Sequence, residues 1–199
     1  MKILQWGFIG CGEVTELKSG PAFSEVEGSS VVAVMSRHEK NARGYAERHG
    51  IPKWYTDAQE LIDDPDVNAI YIATPPSSHA TYAIMAMKAG KPVYVEKPLA
   101  ATYEDCARVN RVSEETGVPC FVAYYRRYLP YFQKVKDIVD NGIIGKIINV
   151  QVRLPLLHVN RIMERKGNCL GDCNQTLRVE AISMIWLPIS WTCYSISLV

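Results

Sequence analysis

Short apolar runs alternate with helix-forming segments along the first two thirds of this chain, and this alternation constrains its fold most. A run such as 30–35 (Ser-Val-Val-Ala-Val-Met) is continuously apolar, as a strand buried on both faces of a parallel sheet is. The segments between such runs are polar or amphipathic and end at glycine, as 39–49 does at Gly50 and 103–116 does at Gly117. The pattern predicts strands at 4–9, 30–35, 53–55, 67–73, 92–96 and 120–123, with helices at 13–25, 39–49, 58–62, 77–89 and 103–116. This order predicts an α/β fold, a doubly wound parallel sheet whose ligand lies at the carboxyl ends of the strands.

A second domain is expected to begin where this alternation stops. A further helix is predicted at 131–141, ended by Gly142, and the alternating segment 147–154 reads as an antiparallel strand. We therefore expect a first domain over 1–123 and the start of a second α/β domain over 124–160.

Composition and charge limit the kinds of binding partner that we expect for this chain. The 199 residues are 48% hydrophobic with a formal net charge of +1, and the basic residues are scattered, so neither nucleic acid nor a membrane is expected as a partner. The N-terminal residues run directly into a strand without the architecture of a signal peptide, which favours the cytoplasm. Cys169 and Cys173 have no His/Cys partner pair nearby, so no metal site is expected.

The first predicted strand leads into a glycine turn, Gly10-Cys11-Gly12. Gly10 permits a tight turn, and Gly12 lets the backbone approach a dinucleotide pyrophosphate lying on the start of the next helix, at Glu13 and Val14. The third glycine of the G-x-G-x-x-G pattern is replaced by Thr15, so the match is partial. The position of the turn at the start of a strand–helix series makes dinucleotide binding the favoured interpretation over a plain structural turn.

The end of the second strand discriminates between NAD and NADP. An acidic residue there would accept hydrogen bonds from the ribose 2′-hydroxyl and repel a 2′-phosphate. This chain has Ser36 and Arg37 instead, a hydroxyl followed by a guanidinium, which suit a 2′-phosphate. We expect the cofactor to be NADP, with NAD as the alternative. If Arg37 has no role in binding, it is simply a solvent-exposed arginine.

Two further strand ends carry candidate cofactor-binding residues. Thr74 and Pro75 follow the fourth strand, and His79 comes shortly after; it either faces the cofactor or lies on the surface of the next helix. Glu96 and Lys97 end the fifth strand, where a lysine beside a nicotinamide can serve as acid or base for an alcohol proton. Lys97 is the predicted catalytic residue.

These motifs occur in the order found in one known family. The segments 7–12, 73–79 and 96–98 (Glu-Lys-Pro), followed by 125–130 (Tyr-Arg-Arg-Tyr-Leu-Pro), resemble the glucose–fructose oxidoreductase/inositol dehydrogenase family, known as Gfo/Idh/MocA. The resemblance implies a Rossmann domain, a second α/β domain often used in homo-oligomers, and hydride transfer to or from a sugar or polyol carbon. It also implies that Lys97 is the catalytic or proton-relay lysine and that Arg127 lies near the cofactor and the domain interface.

The last part of the chain departs from that family. The segment 181–199 carries no charged residue, and the aspartate and histidine that the family's second domain supplies are absent. Codons compatible with 168–199, when read in a shifted frame, can encode a family-like segment that includes Tyr-Asp-Met-Ala-Pro-His. We therefore expect 161–199 to be a frameshifted tail and the chain as given to be inactive.

Two alternatives to this truncated oxidoreductase stay open. The first is a non-catalytic nucleotide-binding or sugar-sensing protein on the same fold. The second is a small protein tethered to a membrane through 181–199, which is long enough to span one but is interrupted by Pro188.

Overall fold

The computed structural model describes residues 3–149. Six strands form one parallel sheet in the order β3-β2-β1-β4-β5-β6, which is the order of a doubly wound Rossmann sheet. The predicted α/β fold is confirmed. The strands are β1 (Leu4–Ile9), β2 (Ser29–Met35), β3 (Lys53–Tyr55), β4 (Ala69–Ile72), β5 (Val93–Val95) and β6 (Cys120–Val122). The helices are α1 (Glu13–Leu17), α2 (Gly20–Glu25), α3 (Glu39–His49), α4 (Ala58–Asp63), α5 (Pro76–Lys88), α6 (Tyr103–Thr116) and α7 (Pro130–Asp140), with a 3-10 helix at Tyr125–Tyr128 before α7.

Helices cover both faces of the sheet. On one face, alternate strand residues pack against α4, α5 and α6, and this cluster includes Ile9, Ile72 and Val95, all fully buried. On the other face the cluster is aromatic: Phe8 and Tyr71 pack against Phe23 of α2, with ring centroids 5.0 and 4.6 Å away. Because burial of such side chains stabilises by about 1.5–3 kcal/mol each, the two faces together hold the strand ends in fixed positions.

A segment that was predicted to form one helix forms two. The sequence pattern predicted a single helix over 13–25, but α1 ends at Leu17 and α2 begins at Gly20. Pro21 has no N–H and its ring would meet the carbonyl four residues earlier, so a continuous helix cannot pass through it. At Gly20 the chain lies so close to α1 that a Cβ would be 1.9 Å from the carbonyl oxygen of Thr15.

Contacts divide the chain into two compact units, Met1–Ala123 and Tyr124–Val199. The first unit holds the whole sheet, and in the described part of the second unit the 3-10 helix leads into α7. Residues 147–149, the start of the predicted strand 147–154, have no regular structure, and the rest of that strand lies outside the described residues. The predicted frameshifted tail, 161–199, with Cys169 and Cys173, also lies outside them. The assignment of 124–160 to a second domain stays a prediction.

Neither a membrane-spanning helix nor a metal-ligand cluster occurs in the described part of the chain. No helix within residues 3–149 is long and apolar enough to cross a bilayer. In the same range no three His, Cys, Asp or Glu side chains converge as metal ligands would.

Candidate cofactor site at the carboxyl edge of the sheet

A cleft of about 290 Å³ opens where β1, β2 and β4 end. It is lined by residues of the glycine turn, of the end of β2, of the loop between β4 and α5, and of the first turns of α5: Gly10, Cys11, Gly12, Met35, Ser36, Arg37, His38, Ala73, Thr74, Pro75, Ser77, Ser78 and Tyr82. In a sheet of this strand order, the point between β1 and β4 is where consecutive connections leave in opposite directions, and ligands bind there. The cleft therefore lies where the fold class predicts a ligand.

The glycine turn forms one wall of the cleft. Gly10 has φ +112°, and a Cβ there would lie 2.7 Å from the carbonyl oxygen of Ala73, so this turn accepts only glycine. Gly12 caps α1 with φ −103°, and no atom lies within 4 Å of where its Cβ would be. The chain thus passes close to β4 at Gly10 and leaves the backbone open at Gly12, as the approach of a pyrophosphate requires.

Thr15 occupies the third position of the glycine pattern and is fully buried. Its Oγ1 donates to the carbonyl of Gly12 over 2.8 Å, and its own carbonyl accepts from the Tyr45 hydroxyl over 2.9 Å. A threonine is accommodated because its hydroxyl finds a partner within the turn. The carbonyl oxygen of Thr15 also lies against Gly20, where a Cβ would be only 1.9 Å from it.

Ser36, Arg37 and His38 form the opposite wall, directly after β2. The amide of Ser36 donates to the carbonyl of Tyr55 over 3.2 Å, which holds this segment to the end of β3. Arg37 is exposed, and no carboxylate of residues 3–149 lies within ion-pair distance of it. A guanidinium that has no ion-pair partner among the described residues and lies at the rim of a cleft can pair with an anionic ligand.

The loop after β4 forms the floor. The hydroxyl of Ser78 lies 2.8 Å from Thr74 Oγ1 and 2.9 Å from the carbonyl of Pro75, so the loop closes onto the first turn of α5. Tyr82 lines the cleft one turn further along that helix. The positions of Thr74 and Pro75 are therefore fixed by the helix that follows them.

His79 does not line this cleft. It is 1% exposed, with Nδ1 at 2.8 Å from the carbonyl oxygen of Pro98 and Nε2 at 2.6 Å from that of Thr74. Its predicted direct contact with the cofactor is corrected, because both ring nitrogens already face backbone carbonyls. The side chain supports the floor from behind instead.

Glu96 and Lys97 follow β5, the neighbour of β4, at the same edge of the sheet. Oε1 of Glu96 accepts from the buried hydroxyl of Tyr71 over 2.8 Å, and Oε2 accepts from the amide of Lys97 over 3.2 Å. Burial, together with the charge of Glu96, raises the pKa of Tyr71, so this phenol stays a donor. Its hydrogen goes to the carboxylate, so in the 2.6 Å contact between the two hydroxyl oxygens Ser19 would be the donor, and the carbonyl oxygen of Val14, 3.2 Å away, competes for the same Ser19 hydrogen.

The remaining predicted residues lie elsewhere in the described chain. Glu13 is exposed and Val14 half-buried in the first turn of α1. Arg127 belongs to the 3-10 helix of the second unit, and its predicted place near the cofactor stays a prediction.

Sequence reasoning did not single out Cys11, Met35, His38, Ala73 or Tyr82 as part of the site. Cys11 stands inside the glycine motif, but a half-buried thiol is most often a small apolar packing residue. Burial is the main cause that raises the pKa of this thiol to about 12, and the charge of Glu16 adds to it. Tyr82 lies four residues after Ser78 on one helix face, and that spacing is the only signal that could have found it.

Comparison with known proteins agrees with this geometry. The sequence profile of the oxidoreductase family with an NAD-binding Rossmann fold matches residues 4–124. An oxidoreductase from Formosa agariphila is 44% identical over 151 residues, which are 76% of this chain and 47% of that protein. The scyllo-inositol 2-dehydrogenase (NAD(+)) of Bacillus subtilis is 34% identical over 140 residues, 70% of this chain and 41% of that protein.

Among solved structures, a 3-ketoreductase from Actinomadura kijaniata in complex with NADP and TDP-benzene superposes with a TM-score of 0.66 at 29% identity. The superposition covers 73% of this chain and 45% of that one. The chain thus spans less than half the length of the relatives that it matches. The matched profile, the strand order and the glycine turn agree, and the chain belongs to the Gfo/Idh/MocA family of oxidoreductases, whose NAD-binding Rossmann fold it carries.

Proposed function

We propose that this chain binds NADP in the cleft between the glycine turn and Arg37, as the cofactor domain of an oxidoreductase that acts on a sugar or polyol. The observation that carries the proposal is the pairing of an open backbone at Gly12 with an exposed guanidinium at Arg37 across one cleft. The first attribute suits a pyrophosphate and the second suits a 2′-phosphate.

Recognition of the 2′-phosphate falls to the segment after β2. Arg37 supplies up to two parallel N–H donors, and the Ser36 hydroxyl can add a third. No acidic side chain occurs between Met35 and Glu39, so nothing in this segment repels a phosphate. The family offers both choices, because one relative is named for NAD(+) and another is bound to NADP. The side chains after β2 therefore decide the preference in this chain.

Lys97 is the residue proposed to move a proton. When bound, the nicotinamide accepts a hydride from a carbon that bears a hydroxyl, or returns one to the corresponding carbonyl. The Lys97 amine would take up or return the hydroxyl proton, as a positioned acid–base group does. Glu96 holds the amide of Lys97, which fixes where the side chain leaves the backbone.

The cofactor preference can be tested on the chain itself. The unmodified protein should bind NADPH more tightly than NADH in a calorimetric titration. Arg37→Ala should weaken NADPH binding by about 1.5–3 kcal/mol, the cost of losing hydrogen bonds to a charged group, and leave NADH binding nearly unchanged.

Arg43→Ala is the matched control. Arg43 is also exposed but pairs with Glu47 within α3, so its loss should leave both affinities unchanged. Equal affinities for NADPH and NADH in the unmodified chain would contradict the assignment of NADP.

A further inference from the structure

The hydroxyl of Tyr71 is a buried polar group in an aromatic layer. Tyr71 is fully buried, and its ring packs against Phe8, Phe23 and Tyr94, with ring centroids 4.9, 4.6 and 5.8 Å away. Phenylalanine would fill this place with the same ring, and a buried hydroxyl is unfavourable unless it is hydrogen-bonded. Packing alone therefore does not explain why a hydroxyl stands at position 71.

The contacts of this hydroxyl explain its presence. Tyr71 donates to Oε1 of Glu96 over 2.8 Å, and its oxygen lies 2.6 Å from the hydroxyl oxygen of Ser19. An ionised carboxylate only accepts, so Tyr71 is the donor in the first bond. Burial raises the pKa of Tyr71, and the phenol therefore keeps the proton that it donates. The hydroxyl thus orients one specific side chain, that of Glu96.

The orientation of Glu96 affects the residue that follows it. The amide of Glu96 still belongs to the sheet, because it donates to the carbonyl of Ile72 over 2.8 Å. The amide of Lys97 donates instead to Oε2 of the Glu96 side chain, over 3.2 Å. The position of the Lys97 backbone therefore depends on where the Glu96 carboxylate is held, and Tyr71 holds that carboxylate.

The second contact of the hydroxyl leads toward the glycine turn. Ser19 lies in the junction between α1 and α2, where its amide donates to the carbonyl of Val14 over 3.0 Å. Helix α1 begins directly after Gly12, the proposed position of the pyrophosphate. Tyr71 therefore stands between the helix that would bind the pyrophosphate and the segment that carries Lys97.

We propose that Tyr71 is a positioning residue for Lys97, because its hydroxyl holds the Glu96 carboxylate that binds the Lys97 amide. Through Ser19, the same hydroxyl fixes this segment relative to the helix that follows the glycine turn. The expected consequence is a fixed distance between Lys97 and a nicotinamide whose pyrophosphate lies at Gly12. The meaning for catalysis rests on the proposed function, whereas the bonds of Tyr71 are a property of the folded chain.

Tyr71→Phe in the full chain removes the hydroxyl and keeps the ring. Hydrogen exchange at the amide of Lys97 should become about 3- to 10-fold faster, the equivalent of one ordinary hydrogen bond. Tyr94→Phe is the matched control, since Tyr94 stacks on Tyr71 and its hydroxyl makes no hydrogen bond within the described range 3–149. The control should leave the Lys97 amide unchanged. Exchange at Lys97 that does not respond to Tyr71→Phe, or that responds equally to both variants, would overturn the proposal.

A double-mutant cycle separates positioning through Glu96 from a general loss of packing. Glu96→Ala removes the carboxylate that both Tyr71 and the Lys97 amide contact, so it should speed exchange of that amide by itself. If Tyr71 acts through Glu96, adding Tyr71→Phe to Glu96→Ala should give no further increase. Additive increases would mean that Tyr71 acts only as a part of the core, and they would contradict the proposal.

The dissociation constants of two nucleotides test the consequence for the cofactor. Adenosine 2′,5′-bisphosphate carries the 2′-phosphate but no nicotinamide, whereas NADPH carries both. Tyr71→Phe should weaken NADPH binding by about 3- to 10-fold and leave the bisphosphate unaffected, because in the proposed binding mode only the nicotinamide half approaches Lys97. Equal weakening of both would mean a general structural loss and would overturn the positioning role. If the unmodified chain binds neither nucleotide, the proposed function fails, while exchange at Lys97 still decides whether Tyr71 holds this segment.

Discussion

Gly10 and Gly12 belong to one turn but serve it in different ways. Gly10 has a positive φ and lies against the carbonyl of Ala73, so the fold itself depends on the absence of its side chain. Gly12 has an ordinary φ, and nothing that the structure describes lies within 4 Å of where its Cβ would be, so a side chain there would meet a ligand bound in the cleft rather than the described chain. Gly10 is therefore expected to be required for the fold, and Gly12 for ligand binding.

Alanine at these two positions should give opposite results. Gly10→Ala should lower the free energy of unfolding by at least about 2 kcal/mol, because a strained φ is added to a contact with the backbone of Ala73. Gly12→Ala should change stability by less than about 1 kcal/mol, since only a helix cap is altered, yet weaken NADPH binding at least about 10-fold. Chemical denaturation and calorimetry measure the two effects. An unstable Gly12→Ala variant would show that this glycine is structural.

At the scale of elements, a buried carboxylate joins three parts of the sheet layer. Asp64, at the end of α4, accepts from Lys53 of β3 over 2.9 and 3.0 Å and from the hydroxyl of Tyr55 over 2.9 Å. The amine of Lys91, just before β5, donates to the backbone carbonyl of Asp64 over 2.7 Å. Burial acts to raise the pKa of Asp64, but the bonds from Lys53, the amide of Asp66 and Tyr55 outweigh it, so the net shift is downward.

This shift predicts how stability depends on pH. An aspartate whose pKa is lower in the folded chain contributes stability that is fully present above its unfolded pKa, about 3.9, and is lost as pH falls through the folded value. Asp64→Asn should therefore cost about 1.5–3 kcal/mol at pH 7, and the difference from the unmodified chain should shrink below about pH 4. Urea denaturation at several pH values measures this.

Asp66→Asn provides the comparison. Asp66 also contacts Lys53, but its side chain is 60% exposed, so its loss should cost less than about 1 kcal/mol. A cost for Asp64→Asn that stays constant down to pH 3 would contradict the electrostatic account.

The elements that sequence predicted best are those with local signals at their ends. The bounds of α3 and α6 agree with the prediction because Gly50 and Gly117 adopt the left-handed conformation that ends a helix. The break between α1 and α2 was missed because it depends on how Gly20 packs against Thr15, a contact between elements. The burial of His79 was missed for the same kind of reason: which face of α5 turns inward is set by the sheet beneath it.

At the scale of the whole molecule, the first unit holds the sheet and both buried clusters. All six strands lie between Leu4 and Val122, and the cores on both faces are built from residues of this range. Every core side chain that the structure describes thus precedes the segment predicted to be frameshifted, and we expect the fold of the first unit not to depend on that segment.

Deletion of 168–199 tests this independence. The shortened chain should keep its unfolding midpoint within about 2 °C, because it retains every core side chain that the structure describes, and it should be more soluble, because an apolar stretch without charges is gone. Thermal denaturation and the yield of soluble protein measure the two effects. Unfolding of the shortened chain would show that the tail is native structure.

The nucleotide sequence of codons 158–170 tests the proposed frameshift. A one-base shift there should open a frame that encodes the family's aspartate and histidine. In the protein whose reading frame is restored after these codons, Lys97→Ala should lower turnover of a sugar or polyol by roughly 10²–10⁴-fold, the range for a positioned acid–base group. If neither shifted frame encodes a family-like segment, or if Lys97→Ala keeps full turnover, these assignments are contradicted.

The cleft between the glycine turn and Arg37 is the proposed site of a nicotinamide dinucleotide. A titration of the isotope-labelled chain with NADPH, followed by backbone NMR, tests it most directly. We expect saturable shifts at the amides of Gly10 and Gly12, of Ser36 and Arg37, and of Thr74, with little change around Asp64 at the far end of the sheet. Saturable shifts confined to other residues, or none at millimolar NADPH, would contradict it.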